Sequence, residues 1–296
     1  MEAATVAAPI AARRAWLRRA VPPLGFMTLP SAVLVVFFLV PMVILAVIAF
    51  EWGPLSGHSG FTTTNFTSIF DDPLYRRVAL TTFEIATIAM LVQLFVAVPI
   101  AYVLAFKVGK FELPLLLLMV LADELNPMVR IYAWRMLLGK EGIINSGLES
   151  LGIIHQPIEA LLFSKFAVIV VLSTSYVTYT VIPIYASMKA IDAGLFEAAL
   201  DLGAGWWTTF RRVLLPLIMP GVFVALLLVY IPLFTDFASP TLVGGTSGYM
   251  LGQSVNDLVL ESGNLNGGAA LSLILLVASG LFAALAYKLA KIRQLD

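Results

Sequence analysis

Four ionisable residues stand in stretches otherwise fit for a hydrocarbon interior. Asp123, Glu124 and Arg130 interrupt one long apolar run, and Asp236 lies near the end of another, bracketed by Pro232 and Pro240. Charges at such depth are costly, and they pair with one another or line a path for solute. Two chemistries fit. Asp236, with Asp123 or Glu124, can offer carboxylates to a cationic solute, because a carboxylate and an ammonium bind strongly once partly desolvated. In the other, Asp123 or Glu124 closes a salt bridge with Arg130; Asp123 and Arg130 are seven apart and share one helical face over two turns. Prolines on both sides of Asp236 predict a broken helix, a device that often borders a binding site or gate. Glu84 and Arg135 fall nearer the outer ends of their runs. Tyr132, Trp134 and Tyr185 could hold an ammonium through their ring faces, but fit better as packing or interfacial aromatics. Tyr176 and Tyr179 are expected to share an inward face of one helix. The Ser and Thr residues around them either line a path or bond helix to helix.

The elements that carry these residues are membrane spans. The 296-residue chain is 60% hydrophobic and 12% charged, with mean hydropathy +0.96, too few charges to cover a solvated surface. A span needs about 20 mostly apolar residues, and six segments qualify: 29–50, 79–106, 113–138, 166–188, 216–237 and 269–290. Their unbroken length argues for helices over barrel strands, and backbone groups in lipid must be paired internally. The expected fold is thus an all-α integral membrane protein with six transmembrane helices. A cytoplasmic tail covers 1–28, the transmembrane domain 29–290 and a second cytoplasmic tail 291–296. The first run is too long for a cleaved signal peptide and no A-x-A follows it. Twelve Lys and Arg, from Arg13 to Arg293, fall on one side of the spans, against Arg76, Arg77, Lys140 and Lys165 on the other, which predicts that both termini are cytoplasmic. Zero net charge argues against nucleic acid. The absence of cysteine excludes thiolate sites, and His58 and His155 lie far apart in loops, so no metal site is expected.

The link at about 189–212 has its own pattern. A helix-forming stretch around Glu197, Ala198 and Ala199 is broken at Gly203 and Gly205. A second amphipathic piece follows with Trp206, Trp207 and Phe210, then Arg211 and Arg212. Small residues let another backbone approach, and aromatics can anchor such a contact; equally, this is a helical hairpin with an interfacial aromatic belt. Glu197-Ala198-Ala199, three residues, Gly203, nine residues and Val213-x-Leu215-Pro216 resembles the EAA motif of ABC importer permeases, with Val213 where the family usually has Ile. The resemblance implies the type I permease fold, a coupling helix seated on a partner ATPase, and docking roles for Glu197, Ala198, Ala199, Gly203 and Pro216. It also implies a second permease subunit, two ATPase subunits and a periplasmic substrate-binding protein, all at a bacterial inner membrane. The chain lacks G-x-x-x-x-G-K-[ST], so it is not expected to be an enzyme or to hold a cofactor; ATP and Mg would belong to the partner.

Arg130-Ile131-Tyr132-Ala133-Trp134, Gly142-x-x-Asn145, Val181 to Tyr185 and Ile231-Pro232 to Gly245 resemble the spermidine/putrescine permease branch. Residues 261–268 depart from that branch, which leaves opine, phosphonate and other small solutes open. A proton-coupled secondary transporter using Asp123, Glu124 and Glu84, or a membrane scaffold without transport, would not explain the spacing of the 197–216 segment.

Overall fold

The computed structural model describes residues 24–51, 60–124, 126–192, 194–201 and 203–293. Among them the chain is helical, with no strand. The tail residues before Leu24, the last three residues and His58 lie outside the described residues. The helix that starts at Leu24 already occupies the end of the expected tail 1–28.

Two compact units divide the chain, residues 1–62 and 63–296. The first holds α1 (Leu24–Leu34) and α2 (Val40–Ala49), joined through a widened turn at Val35–Leu39. Pro41 explains the wide turn: it has no N–H for the Phe37 carbonyl, and its ring crowds that carbonyl in a tight α-turn. The apolar stretch Pro30–Ala49 can cross a membrane.

The second unit begins with the short α3 (Thr64–Asp71) and the 34-residue α4 (Pro73–Phe106). The Asp72 carboxylate accepts from the Leu74 N–H at 2.8 Å, and Pro73, which opens α4, has no N–H to satisfy. Next come α5 (Glu112–Asp123), α6 (Pro127–Leu138), α7 (Ile143–Ser150), α8 (Lys165–Thr174) and α9 (Val177–Lys189). They are followed by α10 (Gly194–Asp201), α11 (Trp206–Thr209), α12 (Leu215–Thr235), α13 (Leu251–Asn256) and α14 (Leu265–Arg293). α11 and α12 run on as one span, Trp206–Thr235, through a second widened turn at Phe210–Leu214. Pro216 stands to Arg212 as Pro41 does to Phe37.

α4 is the post around which α8, α9 and α12 pack, and α14 packs on α12. Its inward face is small: Ala86, Ala89, Ala97 and Ala101 are fully buried at helical spacing. Small faces let helices approach closely where lipid supplies no hydrophobic drive between them. Against them lie Val168, Val171 and Leu172 of α8, Ile184 and Met188 of α9, and Ile218, Ala225 and Val229 of α12. Exposed apolar side chains such as Phe95 (81%) on α4 suit a lipid-facing or subunit-facing surface.

Among the described residues, four helices are long and apolar enough to span a membrane, and α8 with α9, bent by 47°, is long and apolar enough to add a fifth if the pair is one span. The segment 113–138, expected as one span, is instead two twelve-residue helices, α5 and α6. Pro127 imposes the split, since the residue before a proline is driven out of the helical region: Asn126 has ψ 123° and caps α6 by accepting from Met128 N–H at 2.9 Å. The 139–165 link is held by Asn145, fully buried, whose amide donates to Gly139 O (3.0 Å) and accepts from Ile158 N–H (2.9 Å).

Gly221 lets α12 and α9 touch. A Cβ there would strike the Pro183 carbonyl oxygen and lie 2.5 Å from Ser187 Oγ, whereas one at Gly280 of α14 meets nothing. Gly221→Ala is therefore expected to destabilise the detergent-solubilised protein by about 1–3 kcal/mol, read as a lower thermal midpoint, with Gly280→Ala at or above wild type. Equal midpoints would contradict the close α9–α12 contact.

Candidate functional site

Three helix breaks meet in the second unit. The first separates α5 from α6, the second α8 from α9, and the third ends α12 at Thr235. The first two are tied to each other. Asp123, the last residue of α5, receives Arg130 Nη1 at 2.7 Å on one carboxylate oxygen and the Thr178 N–H at 3.0 Å on the other. It therefore neutralises Arg130 and caps the first turn of α9, where a negative charge is favoured by the exposed N–H groups. Thr178 Oγ1 donates back to Met119 O at 3.1 Å, Tyr179 Oη donates to Glu124 at 3.0 Å, and Trp134 Nε1 donates to Thr174 Oγ1 at 2.9 Å.

The Asp123–Arg130 bridge expected from the sequence is present, but not along one helical face: the chain breaks between the two residues, and the guanidinium of α6 reaches across the break to the end of α5. The shared helical face expected for Tyr176 and Tyr179 is also corrected. Tyr176 lies ahead of α9 in the left-handed region (φ 61°, ψ 17°), although their ring centroids stay 6.4 Å apart.

At the third break Asp236 is extended (φ −61°, ψ 133°) and its carboxylate accepts from Ser239 N–H (2.9 Å) and Ser239 Oγ (3.0 Å). The break expected from Pro232 and Pro240 is there. Gly252 of α13 makes room for it, since a Cβ would lie 2.5 Å from the Thr235 and Asp236 carbonyl oxygens. Asp236, Arg130, Ser175, Tyr176, Ile231 and Pro232 are among the residues lining a cavity of about 510 Å³. Of the five pathway candidates, Asp236 and Tyr176 line it. Asp123, Glu124 and Tyr179 stand behind, engaged with one another's elements. Arg130 lines the cavity with its charge already met by Asp123, so Asp236 is the carboxylate left facing it. Glu84, on α4, pairs with Lys165 at 2.7 Å instead.

The 189–212 link forms a second constellation. α10 carries Glu197, Ala198 and Ala199, and its C-terminus is closed by the Ala204 N–H donating to Ala199 O at 3.0 Å, with Gly203 at φ +78°. This is the Schellman cap, which places a left-handed residue four positions after the carbonyl it closes. The Ala199-to-Gly203 spacing thus has a backbone cause: a side chain at Gly203 has open space but an unfavourable φ. Trp206 and Trp207, both exposed, stack on Phe210 at 5.6 Å. Where the link leaves α9, Lys189 Nζ lies 2.9 Å from Glu112 Oε2, and Tyr185 Oη donates to the other Glu112 oxygen. Among the described residues no cluster of three potential metal ligands occurs.

Over residues 3–292 the chain matches the family described as binding-protein-dependent transport system inner membrane component. The chain belongs to this family. Among its relatives, the spermidine/putrescine transport system permease protein PotB of Haemophilus influenzae is 33% identical over 261 residues, covering 88% of this chain and 91% of that one. PotB of Escherichia coli is 36% identical over 221 residues, 75% and 80% of the two chains. The molybdenum transport system permease protein ModB of Mycobacterium bovis is 27% identical over 254 residues, 86% and 89%. A crystal structure of a bacterial ABC transporter involved in import of the acidic polysaccharide alginate has the same fold, with TM-score 0.71 at 17% identity over 94% of this chain and 96% of that one. As an inner membrane component, the chain is a multi-pass membrane protein and a transport permease.

Sequence reasoning missed Gln93, Glu112 and Asn145 as structural ties. Asn145 has a sequence signal only as the end of Gly142-x-x-Asn145. Gln93 had a visible signal, a lone amide inside the alanine stripe of α4. Glu112 had none, because its partners Tyr185 and Lys189 come from a distant span.

The Tyr185 hydroxyl first, and Lys189 second, hold the half-buried Glu112 carboxyl below its ordinary value of 4.5. A carboxyl depressed in the folded state contributes stability above its unfolded pKa and loses it as pH falls through the lower folded value. The thermal midpoint of Glu112→Gln is expected below wild type at about pH 6, with the gap closing below about pH 4. A gap that widens toward acid would overturn this linkage.

Proposed function

We propose that this chain is a polyamine-conducting permease subunit of an ATP-driven importer. In this reading it crosses the membrane six times, with α5 and α6 as one split span and both termini in the cytoplasm. A periplasmic binding protein delivers the solute, a second permease subunit completes the path, and two ATPase subunits seat α10 as the coupling helix. ATP binding closes the ATPases and rocks the spans, and hydrolysis resets them.

The cavity beneath Asp236 carries the substrate assignment. It presents one carboxylate whose charge no described cation offsets, beside a guanidinium already neutralised by Asp123. Such a site favours an ammonium and disfavours an anion, and relatives at 33–36% identity are named as spermidine/putrescine permeases. Tyr176 lines the same cavity and brings an aromatic ring to it.

Uptake of radiolabelled spermidine and putrescine into vesicles holding the complete importer is the direct test. Asp236→Asn is expected to reduce uptake by about tenfold or more, the effect of losing a charge-assisted contact of roughly 1.5 kcal/mol or more. Equal uptake would remove Asp236 from the path.

Docking at Gly203 is tested separately, because its glycine is also required by the backbone. Asn tolerates the left-handed region far better than most residues, so Gly203→Asn keeps the turn while adding bulk. Loss of ATPase co-purification in Gly203→Asn, with the permease itself intact, is the expected result. Retained co-purification and uptake would assign Gly203 to the turn alone.

A further inference from the structure

Gln93 is the one fully buried side-chain amide in the middle of α4, on the face otherwise made of Ala86, Ala89, Ala97 and Ala101. It spans the break between α8 and α9. Its Nε2 donates to Leu172 O at 2.7 Å, in the last turn of α8, and to Ser175 O at 2.6 Å, in the break. Its Oε1 accepts from Thr180 Oγ1, also fully buried, at 2.8 Å, in the first turn of α9. An amide has two donors and an acceptor, and here the three partners lie before, within and after the break.

The break itself is unfavourable. It leaves carbonyls at the end of α8 without helical donors, and it holds Tyr176, a non-glycine residue, at φ 61°. Such backbone persists only where surrounding contacts over-determine it. No proline or glycine lies at 174–177 to cause the break, so the tertiary contact supplies what the local sequence does not. Ser175 and Tyr176, the residues so held, form one wall of the Asp236 cavity.

We infer that Gln93 is a positioning residue for the solute path: its amide latches the α8–α9 break and thereby sets Ser175 and Tyr176 against Asp236. The functional half of this inference rests on the cavity being part of the path. The latch itself does not, and the experiment separates the two.

The chain has no native cysteine, so Ser175→Cys introduces a single thiol on it at the break. Ile231→Cys places one on the opposite wall, on α12. Labelling by a small water-soluble thiol reagent is followed by mass on this chain within the reconstituted importer. Gln93→Met, close in shape but without the hydrogen bonds, is combined with each thiol. Thr180→Val, which removes one donor only, is the second variant should Gln93→Met fail to assemble.

The Ser175→Cys rate is expected to rise about fivefold or more in the latch variants, the opening expected from losing one net hydrogen bond. The Ile231→Cys rate is expected to stay near its control. Unchanged Ser175→Cys labelling in the assembled variant overturns the latch. A parallel rise at both thiols also overturns it, because general loosening would then explain the effect. Altered labelling with undiminished spermidine uptake keeps the latch and overturns its role in the path. Failure of the Asp236 assignment itself is read independently, from Asp236→Asn uptake in the unaltered Gln93 background.

Discussion

A helix interrupted inside an apolar medium leaves N–H and C=O groups that water does not reach, and each one left unpaired costs free energy comparable to a lost hydrogen bond. This chain interrupts its helices three times around one cavity, and side chains supply what the broken backbone lacks. Asp123 closes the first turn of α9, Gln93 takes two carbonyls at the α8–α9 break, and Asp236 receives the Ser239 N–H beyond α12. The small face of α4 follows from the same need, because a buried amide can reach across the break only if the helices lie close.

Closing the breaks also decides the charge of the cavity. Asp123 serves Arg130 and α9 together, so its charge is used locally. Ser239 gives Asp236 two hydrogen bonds but no opposite charge, which leaves a hydrogen-bonded carboxyl without an ion-pair partner at the cavity wall. A basic partner in place of Ser239 would have cancelled it. Under the proposed function, an ammonium passing this site would gain a partner without having to break an existing ion pair.

The other end of the bundle obeys backbone rules as closely. Gly203 is fixed by the Schellman cap on Ala199, and Pro216 widens the turn at Phe210–Leu214 while the span continues. Glu112 ties Lys189 and Tyr185, so the link emerges from a pinned helix end. In the proposed coupling, a motion imposed on α10 would meet α9 at this pinned end, and α9 begins at the break beside the cavity. The spacing of Ala199, Gly203 and Pro216 is in this chain first a statement about dihedral angles.

The sequence by itself determined the membrane class, the spans of α2, α4, α12 and α14, and the family. Long apolar runs and a fixed motif spacing are local properties, written in consecutive residues. It also pointed to the break at Asp236, because prolines act on their own neighbours. It did not determine the α8–α9 break, the left-handed Tyr176 or the roles of Gln93 and Glu112. Those depend on partners 55 to 87 residues away in sequence. Asp123 and Arg130 show the division most clearly. Their charges announced a pair, but only the folded chain decided that the pair closes across a gap and not along a helix. A local code fixes where a helix can exist, and tertiary hydrogen bonding fixes where, in a medium without water, it can afford to stop.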